Sequence, residues 1–316
     1  MSASTPRIGI IGTGAIGGFY GAMLARAGHD VHFLLRSEYE TVARDGLLIS
    51  SAVHGDLHLN PVQAYRGASD MPKCDWLLVG AKSTSNRQLA PLIVEAAADG
   101  AKVVVLQNGL GVEDDLRQAL PDNIHLLGGL CFICAHRPAL GRVEHQALGG
   151  VNLGYHSGPA GPEQQLALVE EGVALFRSAG VDSNRAADLA QARWQKLVWN
   201  VPYNGLSVLL DAGTAPLMAN PASRALIRSI MLEVCAAAAA CGYPLPEGLA
   251  DRMLASTDHM PNYLPSMYHD HVQNRPMELE AIYAAPLAAA AAVGQRMPKT
   301  EALYQALQFK SERASR

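Results

Sequence analysis

Three glycines, Gly12, Gly14 and Gly17, stand in the spacing G-x-G-x-x-G, directly after an apolar run and directly before a helical stretch. In that context the first permits a tight turn, the second lets backbone approach a pyrophosphate, and the third lets helix and strand pack closely. Thr13, Ala15 and Ile16, between and around them, then present main-chain amides at a helix N-terminus, where anions are favoured. At the end of the second apolar run, Phe33-Leu34-Leu35-Arg36-Ser37, an acidic residue would bind a ribose 2′-hydroxyl and a basic one would accommodate a 2′-phosphate. The residue there is Arg36, which favours NADP(H) over NAD, with Glu38 as a nearby carboxylate that could turn inward against it. Far along the chain, Lys196, Asn200 and Asn204 recur at intervals of four, about 40° apart per step on an α-helix, and so share one face. By itself such a stripe is more often a solvated surface than a site. Pro202 within it removes a backbone hydrogen bond and kinks the helix, which weakens the alignment of Asn204.

The elements that position these residues fall into two groups. Arg7 to Ile11, Asp30 to Leu35, Trp76 to Ala81, Lys102 to Gln107 and Ile124 to Leu127 read as strands, most of them apolar on both faces, which is the mark of a buried parallel sheet. Helices at Ala15 to Ala27, Asn86 to Ala98 and Glu113 to Ala119 alternate with them, giving an α/β, Rossmann-type doubly wound sheet. Leu47 to Ser51 and Asp56 to Leu59 read as an inserted hairpin, and Gly141 to Glu144 with Val151 to Gly154 as an irregular, mixed or antiparallel edge. Glu163 to Ala179 follows as a helix and Val181 lies near a short strand. Beyond about Ala187 the strand signal stops. Asp188 to Asn200, Ala222 to Ala240, Leu245 to Ser256 and two stretches between Ser266 and Ser311 predict an all-helical C-terminal domain. The expected domains are residues 1–185 and 186–316, with a soft boundary near Ser183 to Ala187.

Length and composition agree with this. At 316 residues, 49% of them hydrophobic, the chain can bury the cores of two domains. A net charge of −4 supplies no field for a phosphate backbone, so nucleic acid is not an expected partner. Apolar runs such as Val234 to Cys241 and Ala284 to Val293 fall short of the roughly 18–20 residues that span a bilayer, and no signal peptide is evident, so no membrane partner is expected. Five cysteines, an odd number in a chain that does not need covalent staples, read as reduced thiols in the cytoplasm. Cys131 and Cys134 form a C-x-x-C inside an apolar segment with no second ligand pair, which reads as buried strand, with redox or metal use a minor alternative; no metal site is expected.

Further blocks carry a resemblance. Ala81-Lys82 after one strand, Gln107-Asn108-Gly109 after the next, Trp194-Gln195-Lys196-Leu197 with Asn200 and Asn204, and Ser266-Met267-x-x-Asp270 followed by Glu278-Leu279-Glu280 resemble the ketopantoate reductase (2-dehydropantoate 2-reductase) family over nearly the whole chain. The resemblance implies NADPH-dependent reduction of 2-dehydropantoate to pantoate, on the path to pantothenate and coenzyme A, in a cleft closed between two domains. It implies Lys196 as general acid and Glu278 as its acidic partner, with Asn200, Asn204, Ser266 and Asn108 for substrate. Lys82 and Asn108 are implied near the cofactor and the reacting centre. The chemistry is coherent, because hydride delivered to a keto carbon leaves negative charge on oxygen that an ammonium can stabilise and protonate.

Each residue also has a plainer reading: Lys82 as a surface lysine, Asn108 as a turn former, Ser266 as a helix cap behind Pro265, Glu278 and Glu280 as solvated charges, and Asp270 as a partner in an ion pair. Two departures touch the pocket, since family members often carry asparagine where this chain has Thr214 and glycine where it has Ala284. They keep open a same-family reductase of a different 2-keto acid. An NADPH-sensing protein without turnover is a more distant alternative. The expected partner is a small-molecule 2-keto acid, and a homodimer is left open beside a monomer.

Overall fold

The computed structural model describes residues 5–314. They fall into two compact units: one runs up to Gln107 and resumes over Val112–Leu189, and the other takes Asn108–Gly111 and the described residues from Ala190 onward. A boundary drawn along the chain does not anticipate that short segment of the second unit.

The first unit holds strands β1 (Arg7–Ile11), β2 (Asp30–Leu34), β3 (Leu47–Ser51), β4 (Leu57–Leu59), β5 (Gln63–Tyr65), β6 (Cys74–Val79), β7 (Ala97–Val105), β8 (His125–Ala139), β9 (Arg142–Ser157) and β10 (Ser183–Arg185). Helices α1 (Ala15–Arg26), α2 (Tyr39–Asp45), α3 (Asn86–Ala96), α4 (Val112–Arg117) and α5 (Pro162–Ser178) lie between them in the chain. The sheet order is β4-β3-β9-β8-β7-β6-β1-β2-β5, with β10 beside β9. From β5 through β2, β1, β6 and β7 to β8 every pairing is parallel, as the two-faced apolar runs predict. Phe19, Tyr20 and Met23 of α1 and Phe176 of α5 are buried in one core with Ile10, Phe33 and Trp76.

The sheet extends further than the sequence suggests. The strand expected to end at Leu127 and the buried strand expected around Cys131 and Cys134 are one strand, β8, which runs on to Ala139, and the two pieces expected at Gly141 to Glu144 and Val151 to Gly154 are parts of one strand, β9, antiparallel to β8. Their alternation is hidden by register shifts and by Leu148, whose φ of 65° interrupts the ladder. β3 and β4 form the expected hairpin, and β3 joins the sheet by pairing parallel to β9. Cys131 and Cys134 are buried thiols of β8, and neither is in a disulfide. Three residues along a strand separate their Cα atoms by about 10 Å, beyond the reach of a disulfide. Burial also pushes the Cys134 thiol up to about 11, so the redox alternative falls away.

The second unit contains α6 (Leu189–Leu210), α7 (Thr214–Ala219), α8 (Pro221–Ala240), α9 (Leu249–Asp258), α10 (Ser266–Val272), α11 (Ala285–Ala292) and α12 (Pro298–Ala314), and no strand among the described residues. α6 runs as one helix through Pro202 to Leu210, ten residues past the expected end at Asn200. It is buried on nearly all sides, with Trp194, Leu197, Val201 and Leu206 packed in a core shared with Ile230 and Met231 of α8 and Leu307 of α12. Gly205 leaves room for the Tyr283 hydroxyl, which donates to the Val201 carbonyl at 2.8 Å. α9 starts at Leu249, later than expected, because Pro244 and Pro246 precede it and Gly248 caps it at φ 69°. No helix of the described residues is long and apolar enough to cross a membrane, and no group of three or more metal-binding side chains occurs among them.

Candidate active site

The glycine turn has the geometry of a dinucleotide cradle. Gly12 sits at φ 89°, and a Cβ there would lie 2.4 Å from that of Ala81. At Gly17 a Cβ would stand 2.3 Å from the Gly12 carbonyl oxygen, so helix and strand pack backbone to backbone. Gly14 is different, for a Cβ there would meet nothing within 4 Å. Its side chain is therefore absent where space is open, as a bound pyrophosphate requires. Thr13 turns inward and donates to the Leu34 carbonyl at 3.3 Å, tying the turn to the end of β2. Behind Gly14, no side chain caps the N-terminus of α1, where Ala15 and Ile16 begin the helix.

Arg36 follows β2 and is exposed, with no ion pair among the described residues. Glu38, the carboxylate that could oppose a 2′-phosphate, is buried and paired with Arg137, and it accepts the Gly141 N–H at 3.0 Å. Next to the cradle, the contact of Gly12 with Ala81 brings Ala81-Lys82 against the glycine turn. Gln107 holds that segment in place, donating to the Ala81 carbonyl at 3.0 Å and to Asn86 Oδ1 at 2.7 Å, while Asn86 donates to the Val112 carbonyl. Sequence reasoning missed Asn86 and saw Gln107 only as part of a motif, because a buried amide looks like any polar loop residue until its acceptors are known.

In the second unit α6 separates the residues that its spacing made equivalent. Lys196 is 9% exposed, flanked in the chain by the exposed Gln195 and the core residue Leu197. Asn200 is 6% exposed, and its Nδ2 finds no acceptor among the described residues. Asn204, by contrast, is committed: Nδ2 donates to the Asn200 carbonyl at 3.0 Å, and Oδ1 accepts the Met267 N–H at 3.3 Å. That second bond ties α6 to the first turn of α10, where Ser266 is half-buried as the first helical residue with Pro265 in the cap position. Asp270 is paired with Arg275 at 3.1 Å, the plainer reading. Of the two motif carboxylates Glu278 is buried and Glu280 exposed. Arg193, one turn before Lys196, is a buried cation with no counterpart in the expected site.

Glu278 leads into a turn of π-helix over Glu280–Ala284, followed by Pro286 in α11. Proline brings no N–H to the ladder, and the Ala285 N–H reaches back to the Glu280 carbonyl instead of to Ala281. The freed Ala281 carbonyl accepts the Leu110 N–H at 2.8 Å. Gly109 lies so close to Ala281 that an added Cβ would be 2.4 Å from its Cβ. Asn108 is thereby held one residue from the turn that follows Glu278. Thr214 spends its hydroxyl as acceptor of the Tyr263 N–H at 2.9 Å and its own N–H on the Tyr263 carbonyl.

Residues 8–158 match the family described as ketopantoate reductase PanE/ApbA, and residues 188–311 match the ketopantoate reductase PanE/ApbA C-terminal family. A protein of Nostoc sp. named 2-dehydropantoate 2-reductase is 42% identical over 303 residues, covering 95% of this chain and 93% of its own. The crystal structure of 2-dehydropantoate 2-reductase from Geobacter metallireducens is 42% identical with a TM-score of 0.89, covering 96% of this chain and 99% of that one. That of the Methylococcus capsulatus enzyme is 36% identical with a TM-score of 0.85, covering 98% of each chain. The glycine cradle of the first unit and the buried lysine, asparagine and glutamate of the second are thus set in a chain that belongs to the ketopantoate reductase family.

Proposed function

We propose that this chain is an NADPH-dependent reductase of 2-dehydropantoate, yielding pantoate. The observation that carries the reading is the buried pair one turn apart on α6, Lys196 with Asn200, whose Nδ2 has no acceptor among the described residues. A buried ammonium and a waiting amide donor suit a small anionic keto acid. The residues of the first unit fit the cofactor: the amides of Thr13 to Gly17 and the open space at Gly14 receive its pyrophosphate, Arg36 its 2′-phosphate, and Lys82, next to Ala81 at the glycine turn, its nicotinamide half. When bound, NADPH supplies the hydride. Lys196 stabilises the charge that develops on the keto oxygen and delivers the proton to it, and Glu278 supports that ammonium and the substrate. Asn200 and Ser266 donate to the carboxylate and hydroxyl, while Asn204 acts by holding α10 in place. Five cysteines, none of them in a disulfide, suit a reducing cytoplasm, and a homodimer remains part of the proposal.

The test is NADPH oxidation on addition of 2-dehydropantoate, compared with pyruvate and other 2-keto acids. Turnover confined to another keto acid would select the second reading, a same-family reductase of different specificity, which the engagement of Thr214 with Tyr263 favours. No turnover with any of them would reject the enzyme. Lys196→Ala should lower turnover about 10²- to 10⁴-fold and leave the NADPH Kd nearly unchanged; a fully active variant would remove Lys196 from its role.

A further inference from the structure

We infer that the ion pair of Glu38 with Arg137 sets the preference for NADPH over NADH, by holding a carboxylate away from the ground that Arg36 offers to a 2′-phosphate. The inference rests on the cofactor reading above. Glu38 lies two residues beyond Arg36, in the stretch after a second Rossmann strand where a carboxylate would select NADH. It occupies the N-cap position of α2, yet its side chain makes no cap hydrogen bond. The carboxylate reaches instead across about a hundred residues of chain, to Arg137 in β8 and to the N–H of Gly141 in the turn before β9. That turn is itself anchored, since the Gly141 carbonyl accepts the Leu48 N–H at 2.9 Å.

Both oxygens of Glu38 are therefore occupied, and its side chain is only 6% exposed. Arg36 stays exposed with no ion pair among the described residues, and the other acid nearby, Glu40, pairs with Arg66. Without Arg137 a buried carboxylate would lack its counter-charge, and the cheapest relief is rotation into solvent. Arg36, exposed and two residues away, is the nearest cation along the chain. A Glu38 released there would pair with Arg36 and repel the dianionic 2′-phosphate, while the 2′-hydroxyl of NADH would meet no such penalty.

The experiment is equilibrium binding of NADPH and of NADH, followed by quenching of protein fluorescence without substrate, on the full chain. Arg137→Met should weaken NADPH about tenfold with little change for NADH, so that the ratio of the two Kd values collapses. Arg137→Lys should keep most of the preference, because the charge is retained. Glu38→Gln should keep all of it, since an amide still accepts the Gly141 N–H and carries no charge. The double variant Glu38→Gln with Arg137→Met should recover the ratio. A wild-type ratio in Arg137→Met, a fall in Glu38→Gln, or a double variant as poor as Arg137→Met would overturn the inference. Should Arg137→Met fail to fold, Arg137→Gln, which keeps a polar side chain beside Glu38 but no charge, takes its place and should show the same collapse, a wild-type ratio again overturning the inference. Equal binding of NADH and NADPH by the unaltered protein would overturn the cofactor reading and this inference with it.

Discussion

Asn200 and Asn204 show how far residue spacing informs and where it stops. Their interval of four places both on one face of α6, and both are buried there. Spacing is silent on what each amide meets. Asn204 is satisfied twice within the protein, whereas Nδ2 of Asn200 is buried without an acceptor among the described residues. A buried donor left unpaired costs about 1–3 kcal/mol, which a bound carboxylate or hydroxyl would recover. Asn200→Leu should therefore hold or raise the melting temperature while raising KM for the keto acid about 10- to 100-fold, the worth of one or two good hydrogen bonds. Asn204→Leu should do the opposite in stability, losing about 1–3 kcal/mol in denaturant unfolding because the Met267 N–H loses its acceptor. If Asn200→Leu proves the less stable of the two, Asn200 is a structural residue and not a substrate ligand.

Among the elements, the π turn after Glu278 does what a regular α-helix could not. Moving the ladder from i−4 to i−5 frees the Ala281 carbonyl, and the chain spends it on Leu110, which fixes the segment carrying Asn108. Gly109 completes the junction twice over, through a φ of 106° and through its contact with Ala281. Gly109→Ala should thus cost about 1–3 kcal/mol of stability from overpacking, with further loss from backbone strain. Calorimetry on the variant checks this, and an unchanged melting temperature would mean that the junction is loose. In the sequence only the proline at 286 hints at the irregularity, and a proline near the start of a helix ordinarily signals nothing more than its first turn. Strands β8 and β9 show only as separate pieces for a related reason. Their polar residues His136, Arg137, Glu144 and Gln146, and the left-handed Leu148, break the alternation that reveals a strand. The parallel strands β1 and β6 and the second half of β7 were plain because nearly all of their residues are buried, whereas Ala97 to Gly100, the partly exposed start of β7, read as the end of a helix and a turn.

For the molecule as a whole, the class of each half was legible, since βαβ alternation and its abrupt end at about Ala187 are long-range patterns that single residues cannot blur. What pairs across the fold was not, and one such pairing governs how the first unit responds to acid. His145 of β9 is 1% exposed; its Nε2 lies 3.1 and 3.2 Å from the Ala147 and Leu148 carbonyls and so carries the proton, and Nδ1 accepts from the Ser51 hydroxyl at 2.8 Å. Its ring stacks near that of His54, and His145 itself lies 94 residues from Ser51 along a chain that brings β3 beside β9 only in the folded sheet. Burial, and then the neighbouring His54, lower the tendency of His145 to protonate, and burial followed by Arg26 does the same to His54. With the folded-state values depressed, the unfolded chain takes up protons first. The contribution to stability is therefore complete above about pH 6.5 and is lost as the pH falls through the lowered folded-state values. The melting temperature should decline from pH 7 towards pH 5, with His125, also lowered by burial, adding to the slope. His145→Gln, whose amide can donate to one carbonyl and accept from Ser51 without titrating, should flatten that decline at some cost in stability at neutral pH. A variant whose melting temperature falls as steeply with acid as that of the parent would show that protonation of this pocket does not set the acid limit of the fold.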